Sequence, residues 1–262
     1  QLDSFFCGPS YFSWFWMGNL DSWGGPLPAH WMQSREALQK KILEAERAMG
    51  MKPVLPAFTG HVPPSFKEKF PDAKVKSTNW GAGFKDVLIL DPSDPLFDLI
   101  GRKYLEQQTK IYGTDHLYSA DTFNENLPPT DDSLFLNDIS KKIVGSMIAS
   151  DPKAVWVMQG WMFHFQSFFW KKKQVQALLN AVPNDHMIIL DLYSESYPLW
   201  ENLEAYYGKP WIWNMLHNFG GNISLWGRMK EAAEDPAMAL HNPSSGNMVG
   251  IGLTPEGIEQ NP

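Results

Sequence analysis

Six strand-length apolar runs, separated by loop residues and stretches of helical periodicity, constrain most strongly what this chain can fold into. They are 52–57 (KPVLPA), 116–121 (HLYSAD), 154–158 (AVWVM), 186–190 (HMIIL), 210–215 (PWIWNM) and 248–253 (MVGIGL). None alternates cleanly between apolar and polar residues, which suits strands buried on both faces of a parallel sheet. Between them, 33–49 places Leu38, Ile42, Ala45 and Met49 at helical spacing, with Ser34 available as N-cap and Gly50 as the stop. A second helix over 95–112 carries Leu96, Ile100, Leu105 and Ile111 and stops at Gly113. Weaker helical patterns cover 132–149, 172–181 and 225–233. Such alternation implies right-handed βα units, arranged as a doubly wound sheet or as a barrel.

A nucleotide-binding sheet would carry a glycine-rich phosphate turn after its first strand. Gly24-Gly25 and Gly220-Gly221 match neither G-x-G-x-x-G nor G-x-x-x-x-G-K-[ST], so that branch is excluded. The expectation is therefore an α/β chain built as a (β/α)8 TIM-type barrel, with chemistry at the C-terminal ends of its strands. About six βα units are visible against the eight of a closed barrel, and the chain opens on Gln1 rather than Met. It reads as an incomplete barrel spanning 1–262, a segment of a longer protein. There is no internal repeat and no linker, and 242–257 reads as the last loop and strand.

Composition removes several function classes. With 22 Lys+Arg against 29 Asp+Glu the net charge is −7, so no nucleic-acid partner is expected. No apolar run approaches the ~18 residues of a membrane span. Cys7 is the single cysteine, which excludes an intrachain disulfide framework and a multi-cysteine zinc site. His61, His116, His164 and His217 lack the H-x-H and H-E-x-x-H spacings of a metal centre, so no metal and no cofactor is expected. There is no G-x-S-x-G for a serine nucleophile, and nothing around Cys7 would activate a thiolate. Asn222-Ile-Ser224 is a formal glycosylation sequon whose place in a glycine-rich loop favours a structural or site role. Aromatic residues make up 14% of the chain, including 12 Trp, more than core filling alone calls for. Flat rings stacking under sugars would use the surplus.

The strings that follow the strands supply carboxylates among these rings: DTFNE at 121–125, DLYSE at 191–195, LHNFGGN at 216–222 and TPEGI at 254–258. Two glutamates on nonadjacent strands suit acetal hydrolysis, where one carboxyl protonates the leaving oxygen and the other attacks the anomeric carbon or activates water. Plainer roles stay open. Glu125 could cap the following helix, Glu256 could be a solvated loop charge, and Asp121 and Asp191 could hold backbone partners. Asp131 and Asp132 are assigned to solvent, and Trp14, Trp16, Trp23, Trp80, Trp161 and Trp213 could each be core.

Taken together, WFWMGN at 14–19, GPLP at 25–28, PVLPAF at 53–58, GHVP at 60–63, GTDH at 113–116, ADTFNE at 120–125, LHNFGGN at 216–222 and PEGI at 255–258 resemble the alpha-N-acetylglucosaminidase family of glycoside hydrolases, in order and over nearly the whole chain. The resemblance implies an exo-acting, retaining hydrolase that removes terminal α-linked N-acetylglucosamine from a glycan. The glutamate of its F-N-E motif matches Glu125, implying the general acid/base, and that of P-E-G-I matches Glu256, implying the nucleophile. By the same matching Asn124, Trp14, Met17, Trp80, Trp161, Leu192, Leu216 and Phe219 line the terminal-sugar pocket. Trp16 stands where family members carry Arg. The family's small N-terminal domain, first barrel strands and C-terminal helical domain have no counterpart in 1–262. The implied compartment is lysosomal, secreted or periplasmic. A barrel segment that binds N-acetylglucosamine without turnover is the alternative.

Overall fold

The computed structural model describes residues 28–79, 85–217 and 227–255, and the chain divides into two compact units, 1–156 and 157–262. In the first, helix α1 (Ala29–Ala48) starts four residues ahead of the expected position, following Pro28 rather than a Ser34 cap. Ala29, His30, Trp31 and Met32 offer no stop signal, and the fixed φ of Pro28 suits the residue before a helix. Its buried residue is Leu43, while Leu38 and Ile42 remain 45% and 40% exposed, so the expected stripe is not its core face. Strand β1 (Val54–Pro56) follows, and then a three-stranded antiparallel sheet of β2 (His61–Val62), β3 (Val75–Thr78) and β4 (Val87–Leu90), with β4 in the middle and the short helix α2 (Phe66–Lys69) between β2 and β3. Nothing in the sequence pattern had announced this excursion. Its strands are two to four residues long, and three of the four residues of Val75-Lys-Ser-Thr78 are polar.

Helix α3 (Pro95–Tyr112) has the bounds its spacing predicts, with Asp94 accepting from the Leu96 N–H and Pro95 in the first turn. The buried face is Phe97, Gly101, Leu105 and Gln108 rather than the Leu96–Ile100 row. The reason lies in helix α4 (Ser133–Ser150), which packs on α3 so tightly that a Cβ at Gly101 would stand 2.6 Å from Ser146. Only glycine permits that approach. Strand β5 (Leu117–Ser119) pairs in parallel with β1 in the register Val54–Leu117, Leu55–Tyr118 and Pro56–Ser119. Asp132, assigned to solvent from sequence, is the N-cap of α4 and accepts from the Leu134 N–H at 3.2 Å.

Strand β6 (Val155–Gln159) carries the chain into the second unit. There follow α5 (Trp161–Phe165), α6 (Lys172–Leu179), β7 (Met187–Asp191), α7 (Leu199–Asn202), β8 (Trp211–His217), α8 (Met229–His241) and β9 (Met248–Pro255). The last three strands are parallel, with Asp191 level with Trp213 and Asn214 level with Gly252. A Cβ at Gly252 would lie 2.1 Å from Asn214 Oδ1, so the β8–β9 pair needs glycine there. At the start of β8 the Trp211 indole N–H donates to Ser245 O at 2.7 Å and the ring stacks on Trp200 with centroids 5.5 Å apart. Before it, Glu204, Ala205, Tyr206 and Tyr207 form a left-handed turn with φ of 50°, 48°, 56° and 55°. For L-residues this costs about 1–2 kcal/mol each. Burial of Tyr206 against Trp211 offsets part of it.

Candidate active site

The F-N-E string lies where β5 ends. Ala120, Asp121, Thr122, Phe123 and Asn124 are all buried, and the chain turns tightly through the Asn124 N–H to Asp121 O bond at 3.3 Å. The Thr122 hydroxyl donates to Thr59 O at 3.0 Å, tying this turn to the loop after β1. There Thr59 Oγ1 meets His61 Nδ1 at 2.9 Å, and complete burial pushes the His61 imidazole down to about 3, so it stays neutral. Past the turn, Asn126 is fully buried and accepts from the Thr78 hydroxyl, which also donates to Leu127 O at 3.0 Å. Held between these anchors, Glu125 has φ of +51°, the left-handed region that an L-residue enters at a cost. It remains half-buried. It caps no helix, since α4 begins eight residues later with Asp132 as its cap.

In the second unit three expected sugar-pocket residues stand at strand C-terminal ends. Trp161 opens α5 directly after β6, Leu192 follows β7 and is 7% exposed, and Leu216 near the end of β8 is 4% exposed. Hydrogen bonds knit the last two. Ser194 N–H donates to Asn214 O at 3.0 Å, and the Asn214 amide reaches Leu192 O at 3.4 Å and the Thr254 hydroxyl on β9. Glu195 accepts the Leu216 N–H at 3.0 Å through Oε1, whereas its buried Oε2 meets no donor. Burial with so few donors pushes its carboxyl up to about 6. Asp191, the last residue of β7, accepts from the N–H groups of Leu199 at 3.3 Å and Trp200 at 2.9 Å, and burial pushes it up to about 7. Its expected backbone-holding role is the one it performs.

The two units are thus furnished separately, Asn124 and Glu125 in the first, Trp161, Leu192 and Leu216 in the second. Trp14, Met17, Trp80, Phe219 and Glu256 lie outside the described residues, Glu256 being next in sequence after β9. Glu195 was not singled out from sequence. Its signal was present all the same, a second acid four residues after the one that closes an apolar strand. Among the described residues no group of three His, Cys, Asp or Glu side chains could hold a metal ion, and no helix is long and apolar enough to cross a membrane.

Comparison with known proteins bears on the chemistry. The family model described as the alpha-N-acetylglucosaminidase (NAGLU) tim-barrel domain matches residues 1–262. The chain is 43% identical to human alpha-N-acetylglucosaminidase over 265 residues, an alignment that takes in 100% of this chain and 36% of the human protein. Among solved structures, a family 89 glycoside hydrolase from Clostridium perfringens in complex with PUGNAc superposes with a TM-score of 0.83 at 36% identity, over 96% of this chain and 28% of that one. The same bacterial protein carrying two Glu→Gln substitutions, in complex with its substrate GlcNAc-alpha-1,4-galactose, superposes equally, with a TM-score of 0.83 at 35% identity, again over 96% of this chain and 28% of that one. The chain therefore spans roughly a third of the length of these relatives.

Proposed function

This chain belongs to the alpha-N-acetylglucosaminidase family, and from that premise we propose that it is the catalytic (β/α)8-barrel segment of an exo-acting, retaining hydrolase that removes terminal α-linked N-acetylglucosamine. Glu125 protonates the glycosidic oxygen as the leaving group departs. Glu256 attacks the anomeric carbon to form a glycosyl-enzyme, and Glu125, now a base, takes a proton from the water that releases the sugar. Double displacement of this kind asks for carboxyl groups about 5–5.5 Å apart.

The observation that carries this reading is the backbone of Glu125. A strained left-handed residue in the loop that leaves a strand's C-terminal end, six residues past β5 and flanked by buried Asn124 and Asn126, is an arrangement that stability alone does not call for. Support comes from the bacterial relative, whose complex with substrate was obtained with two glutamates replaced by glutamine. Asn124, Trp161, Leu192 and Leu216, with Trp14, Met17, Trp80 and Phe219, line the pocket for the sugar. The family's remaining segments, a small N-terminal domain, the first barrel strands and a C-terminal helical domain, complete the protein, and a glycan-degrading compartment such as the lysosome, the periplasm or the cell exterior suits such an enzyme.

The test is a proton NMR time course with an aryl α-N-acetylglucosaminide. Release of the α-anomer first supports activity and retention together, whereas first release of the β-anomer overturns the double displacement. Glu256→Ala is expected to lower turnover by at least about 10⁴-fold, and Glu125→Ala to keep part of its activity on good leaving groups and to regain more with azide. Equal and unrescued losses would overturn the division of roles. Saturable sugar binding without product would move the chain to a noncatalytic binding role.

A further inference from the structure

The second unit carries more aromatic surface at its strand ends than one sugar pocket uses. In α5 the residues Trp161, His164 and Phe165 occupy positions i, i+3 and i+4 and so share one helix face, with Trp161 and Phe165 stacked at 5.9 Å and Trp161 and His164 at 5.2 Å. After β7 the chain makes a tight turn in which the N–H groups of Ser196 and Tyr197 donate to Tyr193 O at 3.1 and 2.8 Å, placing Tyr193 and Tyr197 side by side at 5.5 Å. The two sets meet, His164 lying 4.3 Å from Tyr197 and Trp161 6.2 Å from Tyr193.

These rings are not the core. The core of this segment is Met162 and Phe163, 5% and 3% exposed, whereas Phe165 and Tyr197 are each 54% exposed. Leaving such a patch in water is unfavourable, and contiguous exposed apolar surface at a strand-end rim marks a ligand surface. Its composition narrows the ligand. Two phenol hydroxyls and an imidazole interrupt the ring faces, offering hydrogen bonds beside flat apolar planes, the combination that a pyranose with one apolar face and a rim of hydroxyls complements. The patch is also continuous with the proposed pocket, because Trp161 belongs to both and Tyr193 directly follows Leu192.

We propose that Trp161, His164, Phe165, Tyr193 and Tyr197 form the site for the leaving-group sugar, the residue to which the terminal N-acetylglucosamine is attached. This rests on the function proposed above and deepens it, since it assigns the side of the substrate beyond the cleaved bond. Substrate preference then follows from stacking in this cluster rather than from the terminal-sugar pocket.

The test compares GlcNAc-α-1,4-galactose, which fills both positions, with N-acetyl-α-glucosaminyl fluoride, which has no second sugar. Tyr197→Ala is expected to lower kcat/KM for the disaccharide by about tenfold more than for the fluoride. Tyr197→Phe, which retains the ring, is expected to restore most of the ratio. Equal changes on both substrates, or none, would overturn the assignment. If the unaltered chain hydrolyses neither compound, the failure belongs to the proposed activity, and the leaving-group site is read directly by saturation-transfer NMR with the same disaccharide. Transfer to galactose protons that disappears in Tyr197→Ala supports the site, and absence of transfer to galactose in the unaltered chain refutes it.

Discussion

Buried carboxylates in the two units meet opposite fates. In the first, Asp151 is 7% exposed at the N-terminal side of β6 and accepts from the Thr114 hydroxyl at 3.2 Å, His116 Nδ1 at 2.7 Å, the Tyr118 hydroxyl at 2.8 Å and the Lys153 N–H at 3.1 Å. Burial alone would raise it, yet these donors together hold it below the usual carboxylate range. Beside it the Arg47 guanidinium bonds Asp115 at 2.6–3.1 Å and Tyr112 O at 2.9 Å, fastening α1 to the chain that leads into β5. In the second unit Asp191 and Glu195, at strand C-terminal ends, are buried without a cationic neighbour in hydrogen-bond contact, and burial pushes both carboxyls up. Burial costs a carboxylate in both places; at Asp151 the bonded donors, His116 among them, outweigh that cost, whereas at Asp191 and Glu195 it outweighs the donors. The carboxylate at the N-terminal side of β6 is thus held low, while those at the C-terminal ends of the second unit are held high, Asp191 as a backbone acceptor and Glu195 with one oxygen unpartnered.

The sharpest way to break this contrast is Asp151→Ala. It strips the shared acceptor from Thr114, His116, Tyr118 and the Lys153 N–H and is expected to destabilise the first unit by about 3 kcal/mol, read from urea denaturation. A loss near zero would show that these donors are satisfied otherwise.

A smaller effect is expected from pH. The Asp191 carboxyl is raised from 3.8 to about 7 on folding, so its contribution is fully present below pH 3.8 and is lost as pH rises through 7. Glu195 acts in the same direction up to about pH 6. Asp151 acts in reverse, its contribution being present above its ordinary value and lost as pH falls through its lowered one. Asp191→Asn is therefore expected to flatten the decline of the urea midpoint between pH 4.5 and about 7.5 while retaining one backbone acceptor. An unchanged slope would remove Asp191 from the account.

The smallest effect is reserved for an exposed acid that merely caps a helix. Asp132→Ala is expected to cost about 1 kcal/mol, detectable as a lowered thermal midpoint. A larger loss would mean that Asp132 does more than accept the Leu134 N–H.

Much of the frame could be read from the chain. All six expected strands form, and α3 occupies the bounds that Asp94, Pro95 and Gly113 mark. Where the reading missed, a tertiary partner had decided. The buried face of α3 is set by the close approach of α4 at Gly101, and Leu43 rather than Leu38 is the residue of α1 that becomes buried. The sheet of β2, β3 and β4 is too short to show a period. No element was expected over Glu204–Tyr207, and its left-handed turn, with Tyr206 buried against Trp211, had no signal in the sequence.

Of the site, the placement of Glu125, Trp161, Leu192 and Leu216 after strands was legible, because an apolar run ends where its residues turn polar. The strained backbone of Glu125 and the raised carboxyls of Asp191 and Glu195 were not. By itself, then, the sequence determined the alternation of strands and helices and which residues follow each strand, since periodicity and stop signals are properties of neighbours along the chain. The tertiary structure alone decided which carboxylates are held low and which high, and which aromatic rings meet at the rim, because the donors and faces that settle these matters are brought together from residues distant in sequence.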